Sequence, residues 1–348
     1  MATVIKKAVC VALVFLLIFS LFTACGEKGG GKVPENNADN GTLEDKSGSE
    51  SMTLPSDNMT TGAANTTAPS SESARETSLT KKVITGEDTG TQSTLTGFEK
   101  LPAVHFEVSD PENSKGLSTE KVCHSHGPAS GGEAHYTVKE FQKHFDKYNA
   151  FTLDTASGDK RLYLTFDCGY EHDNLTSDIL DVLKEKEVPA AFFCTLHHIK
   201  TQPELITRMI KEGHIVGNHS DTHPSFAEIS RTSMAEEIES CDNFLREEYG
   251  YSAKFFRFPA GEYNDSALDL VNSIGFTSVF WSVAYSDWDT ENPHGKDYAV
   301  KTVTERLHPG AVILLHAVSR DNAQALGEII DRARSEGYRF CSLEEYGT

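Results

Sequence analysis

Residues 161–171, RLYLTFDCGYE, decide the fold. Positions 161–166 alternate and then run apolar in β-forming residue types, the pattern of a half- to fully buried strand. Asp167 follows at its carboxyl end, and Gly169 permits a turn. A carboxylate at such a place is costly to desolvate unless it meets a charge, a proton or a metal, and α/β enzymes put catalytic groups at strand ends of this kind. The plainer reading is an aspartate that caps the next helix.

Toward the C-terminus, strand patterns at 190–194, 214–217, 255–258, 277–283, 311–315 and 338–341 alternate with helix patterns at 175–187, 204–212, 233–249, 266–274, 296–307 and 323–335. Gly213, Gly250, Gly275 and Gly337 stand where left-handed helix caps need glycine. This alternation predicts a parallel sheet or barrel covered by helices. About seven βα units fall short of a complete eight-fold barrel, so a distorted (β/α)7 barrel over residues 160–348 is expected.

In such a fold the residues just after each strand collect at one rim. They are Asp167, then His219 and His223, Arg257 and Gly261, Asp287 and Trp288, and His316. So many titratable groups at successive strand ends exceed what solvation explains. Residues 217–224, GNHSDTHP, are the sharpest single signal: two histidines at i and i+4 can aim imidazole nitrogens at one zinc-like divalent ion. A histidine pair of this spacing is more often not a metal site, and Asp167 beside it is what makes one credible.

Toward the N-terminus, residues 98–159 hold Pro102, Pro111, the cluster Cys123-His124-Ser125-His126, and a helix pattern with Phe141, Phe145 and Tyr148 on one face. The cluster lacks a second cysteine pair at zinc-finger spacing and reads as a loop on the cleft or the surface. Residues 26–97 are Gly, Ser, Thr, Asn and acids, too polar to offset ordering, and read as a disordered linker. Residues 1–25 carry Lys6 and Lys7, an apolar run and Thr23-Ala24 before Cys25, which reads as a signal peptide. Residues 23–26, TACG, resemble a lipobox, and the expectation is an exported lipoprotein anchored to the membrane through Cys25. A net charge of −20 argues against a nucleic-acid partner, and seven scattered cysteines do not form a disulfide framework.

Thr165-Phe166-Asp167-Cys168-Gly169, His219-Ser220-Asp221-Thr222-His223-Pro224, Arg257-Phe258-Pro259-Ala260-Gly261, Asp287-Trp288 and Leu314-Leu315-His316 together resemble the five motifs of the polysaccharide deacetylase (NodB homology) family, in order and at fitting distances. Gly169-Tyr170-Glu171, Trp281-Ser282-Val283-Ala284 and His316-Ala317-Val318-Ser319 with Asp321-Asn322-Ala323 are similar to its branch acting on N-acetylmuramic acid in peptidoglycan, which yields muramic δ-lactam in spore cortex. The resemblance implies a hydrolase of acetamide bonds that needs a divalent ion, zinc first among the candidates, held by His219 and His223. It implies Asp167 as base, Arg257 as its partner, His316 as acid and Asp287 as the group orienting it. It also implies an oxyanion contact from the Ala260 N–H, and Trp288 and Leu314 as walls of the acetyl pocket. The substrate it implies is a glycan strand, reached after an amidase has removed the peptide.

Two positions depart from the family's commonest motifs. Cys168 stands where a second aspartate is usual, either as a thiolate ligand or as a small filler, and Ala284 stands where an earlier aspartate is usual. Two other classes remain: a deacetylase of N-acetylglucosamine in peptidoglycan or chitin, and a glycan-binding relative without turnover. An anionic, peptide-free substrate would need a cation near the cleft, for which His124, His126 and Lys160 are the expected sources.

Overall fold

The computed structural model describes residues 81–156 and 159–348. The expected signal sequence, Cys25 and the linker up to residue 80 lie outside them. The linker was expected to run to residue 97, but β1 (Lys81–Ile84) pairs antiparallel with β2 (Val104–Glu107). Ser93 and Thr96 are buried, and their hydroxyls donate to the carbonyls of Glu248 and Tyr249. Hydroxyls that donate to a neighbouring backbone let this polar stretch be ordered without an apolar core of its own.

The main sheet is a curled parallel half-barrel with strand order β11-β5-β6-β7-β8-β10-β4. Its strands are β4 (Ala150–Phe151), β5 (Arg161–Cys168), β6 (Ala190–Cys194), β7 (Ile215–Asn218), β8 (Phe255–Phe256), β10 (Thr277–Val279) and β11 (Ala311–His316). β12 (Arg339–Phe340) pairs with the start of β5. A second small antiparallel pair joins β3 (Val122–Cys123) to β9 (Glu262–Tyr263). β4 lies in residues 98–159, expected from the sequence to be an N-terminal extension packing on the barrel, so the sheet begins before residue 160.

Two apolar layers follow from the pleat, since alternate side chains of a strand point to opposite faces. Tyr163, Ala191, Phe193, Val279 and Val312 pack together on one face. Leu164, Phe166, Cys168, Phe192 and Cys194 pack on the other, against the helices. Those are α1 (Tyr136–Phe145), α2 (Leu175–Lys186), α3 (Leu196–Thr201), α4 (Pro203–Lys211), α5 (Arg231–Phe244), α6 (Asp265–Ser273), α7 (Lys296–Thr304) and α8 (Arg320–Ser335). The sequence pattern did not show α3, a helix of six residues capped by Thr195. α8 starts earlier than the apolar spacing predicts because Ser319 caps it, and it buries Ala325, Leu326, Ile329, Ile330 and Ala333 at helical spacing.

The strand expected at 277–283 stops at Val279. The Trp281 carbonyl accepts from Thr152 Oγ1 at 2.6 Å and from His124 Nε2 at 2.7 Å, so it is lost to the ladder, and Val283 alone bridges to Ile313. The helix expected at 233–249 is α-helical only to Phe244, and its last turn, Leu245–Tyr249, widens to a π turn before Gly250.

Candidate active site

The cleft opens where β5, β7, β8 and β11 end. Asp167 leaves β5 on the face opposite its neighbour Cys168, and its Oδ1 accepts from Arg257 Nη1 at 2.8 Å. Arg257 is fully buried. Its Nε donates to the Val279 carbonyl at 3.0 Å and its Nη2 to Thr165 Oγ1 at 2.8 Å, with the guanidinium 4.2 Å above the Phe193 ring. Burial pushes the Asp167 carboxyl up, but Arg257, helped by His219 and His316, outweighs it and holds the carboxyl below its ordinary value.

His219 Nδ1–H donates to the Arg257 carbonyl at 2.8 Å, because a carbonyl can only accept. That fixes Nε2 as the lone-pair nitrogen, and it faces Asp167 Oδ2 at 3.6 Å. The ring of His223 stands 4.8 Å from that of His219, centroid to centroid, at 80°. Its position depends on a tight turn in which Ser220 and His223 both adopt left-handed backbone, φ 69° and 60°, tied by the His223 N–H donating to Ser220 Oγ at 3.0 Å. Such backbone is uncommon for these residues and clusters at functional sites. Burial lowers both imidazoles, His223 to about 3, which keeps them neutral. Two neutral imidazoles beside an ionised carboxylate are a donor set that fits a borderline divalent ion.

Across the cleft, Asp287 Oδ1 accepts from His316 Nδ1 at 2.7 Å and Oδ2 accepts from the His316 backbone N–H at 2.8 Å. Asn322 Nδ2 donates to the same Oδ2 at 2.5 Å, and the Tyr285 hydroxyl donates to Asn322 Oδ1 at 2.6 Å. Burial lowers the His316 pKa, yet the ion pair with Asp287 prevails and leaves it raised. Tyr285 and Asn322 were not picked out as site residues. Asn322 does lie in the expected Asp321-Asn322-Ala323 run, but its role depends on α8 starting at Arg320, which apolar spacing does not reveal.

Trp288 is 47% exposed, its ring 5.9 Å from that of His316. Leu314 lies between Val312 and His316 on alternate positions of β11, and is 5% exposed. Ala260 is exposed, in left-handed backbone at φ 53° inside the Pro259–Gly261 turn. The next residue, Gly261 at φ 65°, has no room for a side chain: a Cβ there would lie 2.7 Å from Trp281.

Cys168 is not at this cleft. It is fully buried on the helix side of β5, with its thiol pushed well up by burial and by Cys194. The expected cations do not supply a free charge here either. His124 is half-buried against Gly261 and lowered by desolvation to about 3, and His126 is lowered by desolvation to about 4. Lys160 precedes β5, about 20 Å of strand from Asp167, and its Nζ donates to the Glu336 carbonyl at 2.8 Å.

The polysaccharide deacetylase family model matches residues 154–279. Over 225 residues the chain is 40% identical to the peptidoglycan-N-acetylmuramic acid deacetylase PdaA of Bacillus subtilis, a match spanning 64% of this chain and 81% of that protein. An uncharacterised 30.6 kDa protein of Geobacillus stearothermophilus is 42% identical over 222 residues, with the same two shares. The solved structure of Bacillus subtilis PdaA, described as a family 4 carbohydrate esterase, superposes with a TM-score of 0.62 at 37% identity over 66% of this chain and 98% of that one. A family 4 carbohydrate esterase from Bacillus anthracis gives 0.54 at 38% identity, over 66% and 97%. With these relatives, a curled parallel sheet and the Asp167–Arg257 and His316–Asp287 pairs at one cleft, the chain belongs to the polysaccharide deacetylase family, enzymes that hydrolyse N-acetyl amide bonds.

Proposed function

We propose that this enzyme deacetylates N-acetylmuramic acid in peptidoglycan glycan strands. The observation that carries the reading is the cleft's two opposed pairs, a carboxylate held ionised by Arg257 and an imidazole held protonated by Asp287, on a chain 40% identical to PdaA.

His219 and His223 would hold the divalent ion, zinc first among candidates, which when bound polarises the acetamide carbonyl and acidifies water. Asp167 takes the proton from the attacking water, and Arg257 keeps it ionised for that task. His316, charged through Asp287, gives its proton to the leaving amine nitrogen. Asn322 and Tyr285 keep Asp287 in line with His316. Trp288 and Leu314 wall the acetyl methyl, and the Ala260 N–H donates to the developing oxyanion.

The substrate's lactyl carboxylate, freed when an amidase removes the stem peptide, needs a cation. In place of the three expected residues, Arg320 fits: it lines a cleft of about 370 Å³ with His172, Asp287, Asp289 and Asp321, and its guanidinium is 59% exposed beside Asp173. Asp289 is turned into hydrogen bonds with Glu291 N and Asn292, and Asp321 into one with Gly295 N. The new amine beside the lactyl carboxylate can then close to a muramic δ-lactam, the chemistry of spore cortex. Such a substrate lies outside the cell, and the lipobox-like TACG at residues 23–26 would anchor the enzyme there through lipidated Cys25. Acetate release tests the reading: peptide-free strands turn over, and N-acetylglucosamine oligomers turning over as fast would replace it with the broader deacetylase reading.

A further inference from the structure

Behind the cleft, on the helix side of the sheet, the structure gathers a second set of soft donors. Cys168 and Cys194 are register partners on the adjacent parallel strands β5 and β6, so the pleat sends both thiols to the same face. Thr195 caps α3 through the His198 N–H, which turns His198 back over them. The two Sγ atoms and an imidazole nitrogen of His198 all lie within 4.8 Å of one another. All three side chains have essentially no exposure.

His198 is the telling member. Neither of its ring nitrogens has a hydrogen-bond partner, in a layer where an unpaired polar group costs about 1–3 kcal/mol. Burial lowers its pKa to about 4, so it is a neutral ring with a lone pair to offer. The thiols are weakly served. Cys194 Sγ reaches the Phe192 carbonyl, at 3.6 Å, and the thiols of Cys168 and Cys194 meet each other. Apolar residues would pack this layer at lower cost, as Phe166 and Phe192 do one turn of the pleat below.

We propose that Cys168, Cys194 and His198 form a structural site for a thiophilic divalent ion of the zinc type, separate from the catalytic cleft. Zinc with ordinary bond lengths needs its sulfur and nitrogen ligands about 3.5–3.8 Å apart, a contraction of at most about 1.3 Å from the 4.8 Å that bounds the spacings here. Binding releases two protons: each thiol loses one, and two thiolates with a neutral imidazole around a dication leave no net charge to bury. A monovalent ion would leave one negative charge in an apolar layer, which selects against it. Cys241 is outside the set, its thiol turned to the Cys194 carbonyl at 3.8 Å. The ion would tie β5, β6 and α3 together beneath Asp167. This inference does not depend on the identity of the glycan.

Metal content and spectroscopy of the full chain test it. In the double variant His219→Ala/His223→Ala, purified from zinc-supplemented cells, about one equivalent of zinc per chain is expected to remain. Replacing that zinc with cobalt should give a sulfur-to-cobalt charge-transfer band. His198→Phe, which fills the volume without a donor, should remain folded by circular dichroism and lose the band, as should Cys168→Ser where it folds. A cleft variant with no residual metal and no band overturns the proposal. So does a Cys168–Cys194 disulfide found by thiol titration and peptide mapping, or a band that survives His198→Phe unchanged.

Discussion

Arg257 Nη1 stands 2.8 Å from Asp167 Oδ1, and the guanidinium's other donors are committed to Val279 and Thr165. The carboxylate is therefore held by a cation that cannot swing away. Arg257→Gln leaves the burial of Asp167 opposed only by His219 and His316, so its pKa rises. A carboxyl with a depressed folded pKa lends stability above its unfolded value, and that stability is lost as pH falls through the folded pKa. The variant should lose it altogether, lowering stability near neutrality by about 3–5 kcal/mol. In the folded fraction, the acid limb of kcat/KM moves to higher pH. An unmoved limb would show that Asp167 is not the base.

The His316–Asp287 pair predicts the opposite limb. A histidine whose folded pKa is raised lends stability that is full below the unfolded pKa and disappears as pH rises through the folded one. Asp287→Asn removes the charge that raises His316, so the alkaline limb of the rate profile should move to lower pH and turnover should fall about 10²- to 10⁴-fold. Asn322→Ala should move the same limb less far. The pH profiles of both variants on one substrate check the order.

Arg320 separates binding from chemistry. Arg320→Gln should raise KM for peptide-free strands about 5-fold, the worth of one solvent-screened ion pair, with kcat unchanged. A fall in kcat with KM unaltered would remove Arg320 from substrate recognition.

Lys82 tests the N-terminal pair of strands. Its Nζ lies 3.8 Å from Asp242 Oδ2, an oxygen buried without a hydrogen-bond donor. Burial raises the Asp242 pKa, so the ionised form burdens the fold above that pKa and the burden lifts as pH falls through it. Lys82→Met should lower stability by about 1 kcal/mol near neutrality, and the deficit should shrink under acid, as thermal melts at two pH values would show.

The rim was legible because strand periodicity points each β-strand's carboxyl end to one place: Asp167, His219, Arg257 and His316 all arrive there. What the pattern could not carry was the third dimension of side chains away from the strands. Cys168 follows Asp167 directly yet faces the helices, as the pleat requires, which leaves it outside the cleft. His124 has the composition of a ligand, but it is a neutral ring under Gly261 that holds the Trp281 carbonyl. Lys160 is near Asp167 in sequence and a strand's length away in space. β1 escaped notice because its stability comes from pairing with β2 and from Lys82 meeting Asp242, both long-range.

The most direct measurement of the central claim is mass analysis of glycan fragments after the full chain has acted, with divalent ion present, on peptide-free and on intact peptidoglycan strands. The account predicts muramic residues that have each lost an acetyl group in the peptide-free strands and unaltered intact strands. Acetyl loss confined to the glucosamine residues, or equal loss from intact strands, would contradict it.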